Sequence, residues 1–265
     1  MVTIPENIRE EILNSSGGNQ IKWFNAQNNR WYKMDANGYE GLAEVMSSQF
    51  IRNTNCESFV TYKEEVFLYH NKDRNGCSSE NFLPQDAELM TAAKLFKLAY
   101  GKSPNEICND TSHEGKILKF IELLSKLTGL SVAEVGQYLT MMFEIDAVIL
   151  NKDRHFNNIA FIRKDNIFYP APLFDHGDSL LSTDYTAGDL ETRISKVISK
   201  PFLLSFDEQI EIVENNFGKQ LIMYPYEIQL PNTFYPDEIY QEMKAVLEIQ
   251  REKYKYLSHK IDYQK

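Results

Sequence analysis

The sequence predicts an α+β chain in two lobes, a small β-rich one followed by a larger helical one. Three observations carry that reading. Two β-forming arms, "IKWF" (21–24) and "RWYKM" (30–34), flank the polar "NAQNN", as the arms of a hairpin do. Beyond residue 84, three long stretches repeat apolar residues at helical spacing. No internal repeat or low-complexity linker divides the chain into further units.

Taken in order, "NIREEIL" (7–13) reads as a short helix that "NSSGGNQ" breaks, and the hairpin follows. In "YEGLAEVMSSQFI", Leu42, Met46 and Phe50 recur every four residues, which predicts an amphipathic helix. "FVTY" and "EVFLYH" read as a second pair of strands. The character changes at "NGCSSENFLP", which places one lobe at 1–83 and the other at 84–265. "DAELMTAAKLFKLAY", "KILKFIELLSKL" and "SVAEVGQYLTMMFEIDAVIL" are helical by period. In the second, Ile117, Leu118, Ile121, Leu124 and Leu127 share a face, and Gly129 supplies the C-cap. In the third, Ser131 with Glu134 forms a capping box. "IAFI" and "IFY" make a small hairpin across "RKDN", from which "PAPLFDHGDSLLS" departs. The rest is helical and ends in a long charged stretch read as a solvated helix.

Composition narrows the function. With 265 residues, 43% of them hydrophobic and including 16 Phe and 15 Tyr, the chain can build a large core. A formal charge of −10 argues against a nucleic-acid footprint, which needs clustered Lys and Arg. A local basic site is compatible with that charge, and an acidic protein that binds a polyanion usually needs a metal ion between the two. Cys56, Cys77 and Cys108 are far apart and odd in number, so neither a disulfide framework nor a structural zinc site is expected. The N-terminal stretch lacks a secretory signal's apolar run of roughly 7–15 residues. The longest apolar runs are four or five residues, so no membrane span is expected and the cytoplasm is the expected compartment.

One stretch departs from ordinary loop composition. "LNKDRHFNNIAFI" (150–162) sets Asn151, Asp153, His155, Asn157 and Asn158 between apolar runs, where a surface turn needs one or two such residues. Transfer of the terminal phosphoryl group of ATP asks for this chemistry. One carboxylate orients or deprotonates the acceptor hydroxyl, and a second carboxylate with a carboxamide holds Mg²⁺ through oxygen. Asp153 and Asn158 have the D-x-x-x-x-N spacing of a protein-kinase catalytic loop. Asp175 follows in "LFDHG", a D-x-G form, after a hairpin able to return the chain beside Asn158. Lys33 lies mid-strand in "RWYKMD", and the next helix carries Glu40 and Glu44 one turn apart. Either glutamate can pair with Lys33, with Glu44 preferred. In "NSSGGNQIK", Ser15, Ser16, Gly17 and Gly18 could cradle phosphates through backbone N–H groups. Asp146, on the apolar face of the preceding helix, is expected to brace the loop by accepting its hydrogen bonds. His155 has three readings: a structural group bonded to loop backbone, a general base, or a metal ligand with Asp175 and His176 in a hydrolase-type centre.

Together, "SSGGNQIK", "YKMD" with "YEGLAE", "GCSSENFLPQD", "FEIDAVILNKDRHFNNIAFI" and "APLFDHGDSLL" resemble the HipA-like serine/threonine kinases. Within that family the likeness is to short members similar to the HipA C-terminal kinase region, over roughly residues 14–182. The D-R-H-x-x-N loop is the most specific element, with its histidine after the aspartate. The resemblance implies a two-lobed protein-kinase-like fold with ATP and Mg²⁺ at the cleft. By that likeness Asp153 is the catalytic aspartate, Asn158 and Asp175 are the metal ligands, and Lys33 contacts phosphate. Ser15 or Ser16, with Gly17 and Gly18, falls in a glycine-rich loop that some members autophosphorylate. Glu80 and Phe82 correspond to the hinge that meets adenine, and His155 is grouped with the nucleotide site. The partners implied are a protein substrate with a Ser or Thr acceptor and an antitoxin-like protein. The residues themselves leave open a pseudokinase, a small-molecule or lipid kinase, and a metal-dependent hydrolase.

Overall fold

The computed structural model describes residues 2–3, 20–184, 186–227 and 234–258. Its first part is a five-stranded sheet: β1 (Val2–Thr3), β2 (Ile21–Asn25), β3 (Arg30–Met34), β4 (Tyr62–Tyr69) and β5 (Lys72–Glu80), in the order β1-β4-β5-β3-β2. β1 runs parallel to β4, and the other pairs are antiparallel. The predicted β2–β3 hairpin forms, with Lys22 opposite Lys33. The second predicted pair does not. Most of "FVTY" and "EVFLYH" falls in or before the single strand β4, whose partner is the polar "KDRNGCSSE" of β5. The first half of β5 faces water while Gly76 to Ser79 are buried, so its charge disguised a strand paired along its whole length.

Strand alternation gives the sheet two unlike faces. Trp23, Tyr32, Met34 and Phe67 pack on one, with Trp23 stacked on Tyr32 at 5.3 Å between centroids. The other carries Lys22, Lys33 and Cys77 toward helix α1 (Glu40–Arg52), and Val45 of α1 packs with Val60, Tyr62 and Cys77. α1 forms where its period predicts an amphipathic helix, but it is buried on more than one face. All but Gln49 and Arg52 are buried, because Leu42, Met46 and Phe50 face the helical lobe while Val45 faces the sheet. The approach is close: a Cβ on Gly41 would stand 2.6 Å from the backbone of Gly76. Bare backbone at both positions lets α1 lie near enough for Glu44 to reach under the sheet.

The remainder comprises β6 (Glu88–Thr91), α2 (Ala92–Tyr100), α3 (Pro104–Ile107), α4 (His113–Thr128), α5 (Val132–Val148), β7 (Ala160–Lys164), β8 (Ile167–Pro170), α6 (Leu190–Ser195), α7 (Phe206–Phe217) and α8 (Asp237–Lys253). Residues 88–91, expected to be helical, form β6 because β7 offers a ladder, with Glu88 opposite Arg163 and Thr91 opposite Ala160. Tertiary pairing overrides helix propensity there, and α2 starts where the Thr91 side chain accepts from the Lys94 N–H. The β7–β8 hairpin turns through Asp165 and Asn166, at φ 52° and 62°, as its Asp-Asn pair permits. α5 is the central helix, and its second half is almost wholly buried. α8 is also more buried than expected. Tyr240, Met243, Val246, Leu247 and Gln250 are covered, and Gln250 Nε2 donates to the Ala147 carbonyl at 2.7 Å. Among the described residues no helix is long and apolar enough to cross a membrane.

Candidate active site

The polar loop after α5 is organised by a fully buried ion pair. Asp146 accepts from Arg154 Nε at 2.8 Å, from Arg154 Nη2 at 2.9 Å and from Asn151 Nδ2 at 2.8 Å. Its expected role as a loop brace is therefore met, with Arg154 the principal partner. Arg154 also donates through Nη1 to the carbonyls of Phe174 (2.7 Å) and Asn158 (3.2 Å), and through Nη2 to His176 Nδ1 (3.1 Å). One guanidinium thus fastens the loop 151–158 to the segment after β8 that carries Asp175. Two backbone bonds extend the seam: Lys152 N–H donates to Asp178 O at 3.3 Å, and Leu180 N–H to Ile149 O at 2.9 Å.

Within the loop, Asp153 N–H donates to Asn151 Oδ1 at 3.2 Å, and Asn158 Nδ2 donates to the Asp153 carbonyl at 3.4 Å. Asn158 is nine-tenths buried, while the Asp153 side chain keeps 34% exposure. The Asp153 carboxylate meets Lys200 Nζ at 2.6 Å and lies 3.8 Å from His155 Nε2. His155 joins the loop through its main chain, donating to the Asp153 carbonyl and accepting from Asn158 N–H. The expected bond from its ring to loop backbone is not made.

Asp175 sits in the left-handed region at φ 61°, and its N–H donates to Tyr62 Oη at 3.1 Å. Lys33 Nζ lies between Asp175 Oδ1, at 2.5 Å, and Glu44 Oε1, which it also contacts directly. Lys22 adds a second ammonium on Asp175, at 3.3 and 3.4 Å from its two oxygens. Glu44, fully buried, uses its other oxygen to accept from His176 N–H at 2.8 Å. The open choice between the two glutamates is resolved by this geometry: Glu44 takes Lys33. Glu40 instead accepts the N–H groups of Asn37 and Gly38, at 2.9 and 3.0 Å, ahead of α1.

The charges follow from this packing. Burial works against the Lys33 ammonium, but Asp175 and Glu44 outweigh it and hold its pKa well above the usual lysine range. Burial likewise works against the Asp175 carboxylate, and Lys33 and Lys22 overcome it and hold the group well below the usual range. Burial pushes Glu44 up, against the pull of Lys33. His176 is driven well down by burial and by Arg154, so it is neutral, with Nδ1 as the acceptor facing Arg154. That arrangement does not assemble the hydrolase-type reading. Among the described residues no group of three or more His, Cys, Asp or Glu side chains is placed to hold a metal.

The structure therefore joins Lys33, Glu44 and Asp175 in one contact chain, and joins Asp175 to the Asp153–Asn158 loop through Arg154. Phe82 rests on Phe174, 5.6 Å between centroids, next to Asp175. The Glu80 side chain is 87% exposed and 3.7 Å from Arg30, so its carboxylate is turned outward. Ser15, Ser16, Gly17 and Gly18 lie outside the described residues. Sequence reasoning missed Lys22, Tyr62, Arg154 and Lys200. Lys22 was within reach of it, since the hairpin register alone sets Lys22 beside Lys33 on one face. Lys200 had no such signal.

No family model and no curated protein matches the chain in sequence. Its structure is similar to that of the Helicobacter pylori proinflammatory kinase CtkA, with a TM-score of 0.58 and 15% identity, covering 90% of this chain and 89% of that one. It is also similar to a structure of the Shewanella oneidensis MR-1 toxin–antitoxin system of HipA, HipB and operator DNA, with a TM-score of 0.50 and 11% identity. That match covers 94% of this chain and spans 60% of the other. The chain has a HipA-like kinase fold, a small sheet lobe joined to a larger helical one.

Proposed function

We propose that this protein is an ATP- and Mg²⁺-dependent kinase that transfers the γ-phosphoryl group to a Ser or Thr hydroxyl of a protein, itself included. The observation that carries the reading is the continuity of the site. Lys33 bridges Glu44 and Asp175, and Arg154 ties the segment around Asp175 to the loop of Asp153 and Asn158. In this reading the nucleotide lies between lobes 1–83 and 84–265, with Lys33 and Lys22 toward its phosphates and Phe82 beside the base. The Asp175 carboxylate and Asn158 carboxamide are hard oxygen donors, one anionic and one neutral, and suit Mg²⁺. Bound there, the ion would neutralise phosphate charge. Asp153, the most accessible carboxylate of the group, receives the proton of the acceptor hydroxyl. The hydroxyl's oxygen bonds to Pγ as the bond from Pγ to the bridging oxygen breaks, and the electron pair leaves with ADP. Arg154 and Glu44 hold these groups in place and touch neither reactant.

The direct test is incubation of the purified protein with γ-labelled Mg-ATP, followed by phosphosite mapping. Phosphoserine or phosphothreonine on the chain, with Ser15 and Ser16 the first candidates, is the expected result. Nucleotide bound without label on the chain or on a mixed Ser/Thr peptide library would instead support the pseudokinase alternative.

A further inference from the structure

The catalytic-loop candidate has a charge deficit on its acceptor side. Between Asp153 and Asn158 stand Arg154, His155, Phe156 and Asn157. The only permanent cation among them, Arg154, is fully buried and committed to Asp146, Asn158, Phe174 and His176. It is not free to meet a phosphoryl group, and Lys152, just ahead of Asp153, is turned to Asp178 at 3.2 Å and to the Thr183 hydroxyl at 2.8 Å. Lys22 and Lys33 lie on the sheet side, at Asp175. Phosphoryl transfer spreads negative charge over three equatorial oxygens beside the accepting aspartate, and a fixed cation there lowers the barrier.

Lys200 supplies one from a distant part of the chain. Its Nζ is 2.6 Å from Asp153 Oδ1, 47 residues away, and its side chain is 49% exposed. Among the described residues it is the only Lys or Arg in an ion pair with Asp153. The segment bearing it is built onto the loop. Phe202 packs on Phe156, 5.9 Å between centroids, and on Phe120 at 5.6 Å. Ser199 is fully buried; its N–H donates to Leu204 O at 2.8 Å and its hydroxyl to Lys200 O at 2.9 Å. Phe156 is three residues beyond Asp153, so one aromatic contact locks both segments together.

We propose that Lys200 is a catalytic residue that contacts the transferring phosphoryl group from the acceptor side, where the loop's own cations, Lys152 and Arg154, are held on other partners. This rests on the kinase reading above. An ammonium has three donors: one stays on Asp153, and the others reach equatorial oxygens as the acceptor oxygen–Pγ bond forms and the bond to the ADP oxygen breaks. The acceptor proton passes to Asp153, and Lys200 remains an ammonium throughout.

The test needs no acceptor. Calorimetry of Mg-ADP binding, with and without aluminium fluoride as a planar phosphoryl mimic, is run on wild type, Lys200→Met and Lys200→Arg. In Lys200→Met, Mg-ADP affinity should stay within about twofold, while the fluoride complex weakens by at least ~10-fold. Lys200→Arg should recover most of that loss, and thermal midpoints should match because the side chain is half exposed. Equal fluoride complexes in wild type and Lys200→Met would overturn the role. So would equal losses of both complexes with a lowered midpoint, which mark a structural residue. Mg-ADP binding to wild type with no tightening by fluoride overturns the role while leaving a nucleotide site. A wild type that binds no nucleotide overturns the kinase reading itself, and this proposal with it.

Discussion

At the scale of single residues, the site depends on Arg154 more than on the groups named for chemistry. Its guanidinium spans Asp146, Asn158, Phe174 and His176, and so sets the position of Asn158 relative to Asp175. Breaking one side of a buried pair leaves the other charge stranded, at a cost of about 3–5 kcal/mol. Arg154→Met should lower the urea-unfolding free energy by that amount, and a change under ~1 kcal/mol would show that Asp146 finds other partners. At this scale the sequence was legible in part. D-x-x-x-x-N and D-x-G were visible because their spacing is local, and Glu44 was visible because helical period put it one turn from Glu40. Arg154 was hidden in plain view, since a surface-type residue in a polar loop gives no hint that it will be fully buried. Lys200 was unreadable, because only the folded chain brings it across 47 residues to Asp153.

At the scale of elements, α1 is the part on which the site turns, for it carries Glu44 and is packed between the two lobes. Its start is held by Asp35, whose Oδ1 accepts from Gly41 N–H at 2.7 Å and whose Oδ2 accepts from Tyr235 Oη at 2.8 Å. Burial pushes the Asp35 carboxyl up to about 7. A carboxyl raised on folding holds its proton where the unfolded chain has released it. Its stability contribution is therefore fully present below the unfolded value near 4 and is lost as pH rises toward 7. Asp35→Asn removes that titration. The unfolding free energy of wild type should fall relative to this variant by on the order of 2–4 kcal/mol between about pH 4 and pH 7.5. A gap independent of pH, measured by urea unfolding across that range, would contradict the account of Asp35. The elements also show where sequence patterns fail. The β2–β3 and β7–β8 hairpins and helices α4 and α5 were legible, because period, caps and turn residues agree. β5 was not, since its solvent-facing half is charged, and β6 was not, since only pairing with β7 makes residues 88–91 extended.

At the scale of the whole molecule, the two lobes meet through contacts that are also the site. Val60 N–H donates to Leu173 O at 2.8 Å, Tyr62 receives the Asp175 N–H, and Lys22 and Lys33 reach from the sheet to Asp175. The sheet thus contributes cations and the helical lobe contributes carboxylates and a carboxamide, an arrangement suited to clasping a metal-bound triphosphate between them. Similarity to CtkA and to the HipA–HipB complex fixes the fold at this scale, and the proposed reaction rests on the residues described above. The central claim is that Asp153 accepts the proton of the group that is phosphorylated. The most direct measurement is the single-turnover rate of label transfer from saturating Mg-ATP in wild type and Asp153→Ala. The account predicts a fall of about 10²–10⁴-fold with nucleotide binding retained; equal rates in the two proteins would contradict it.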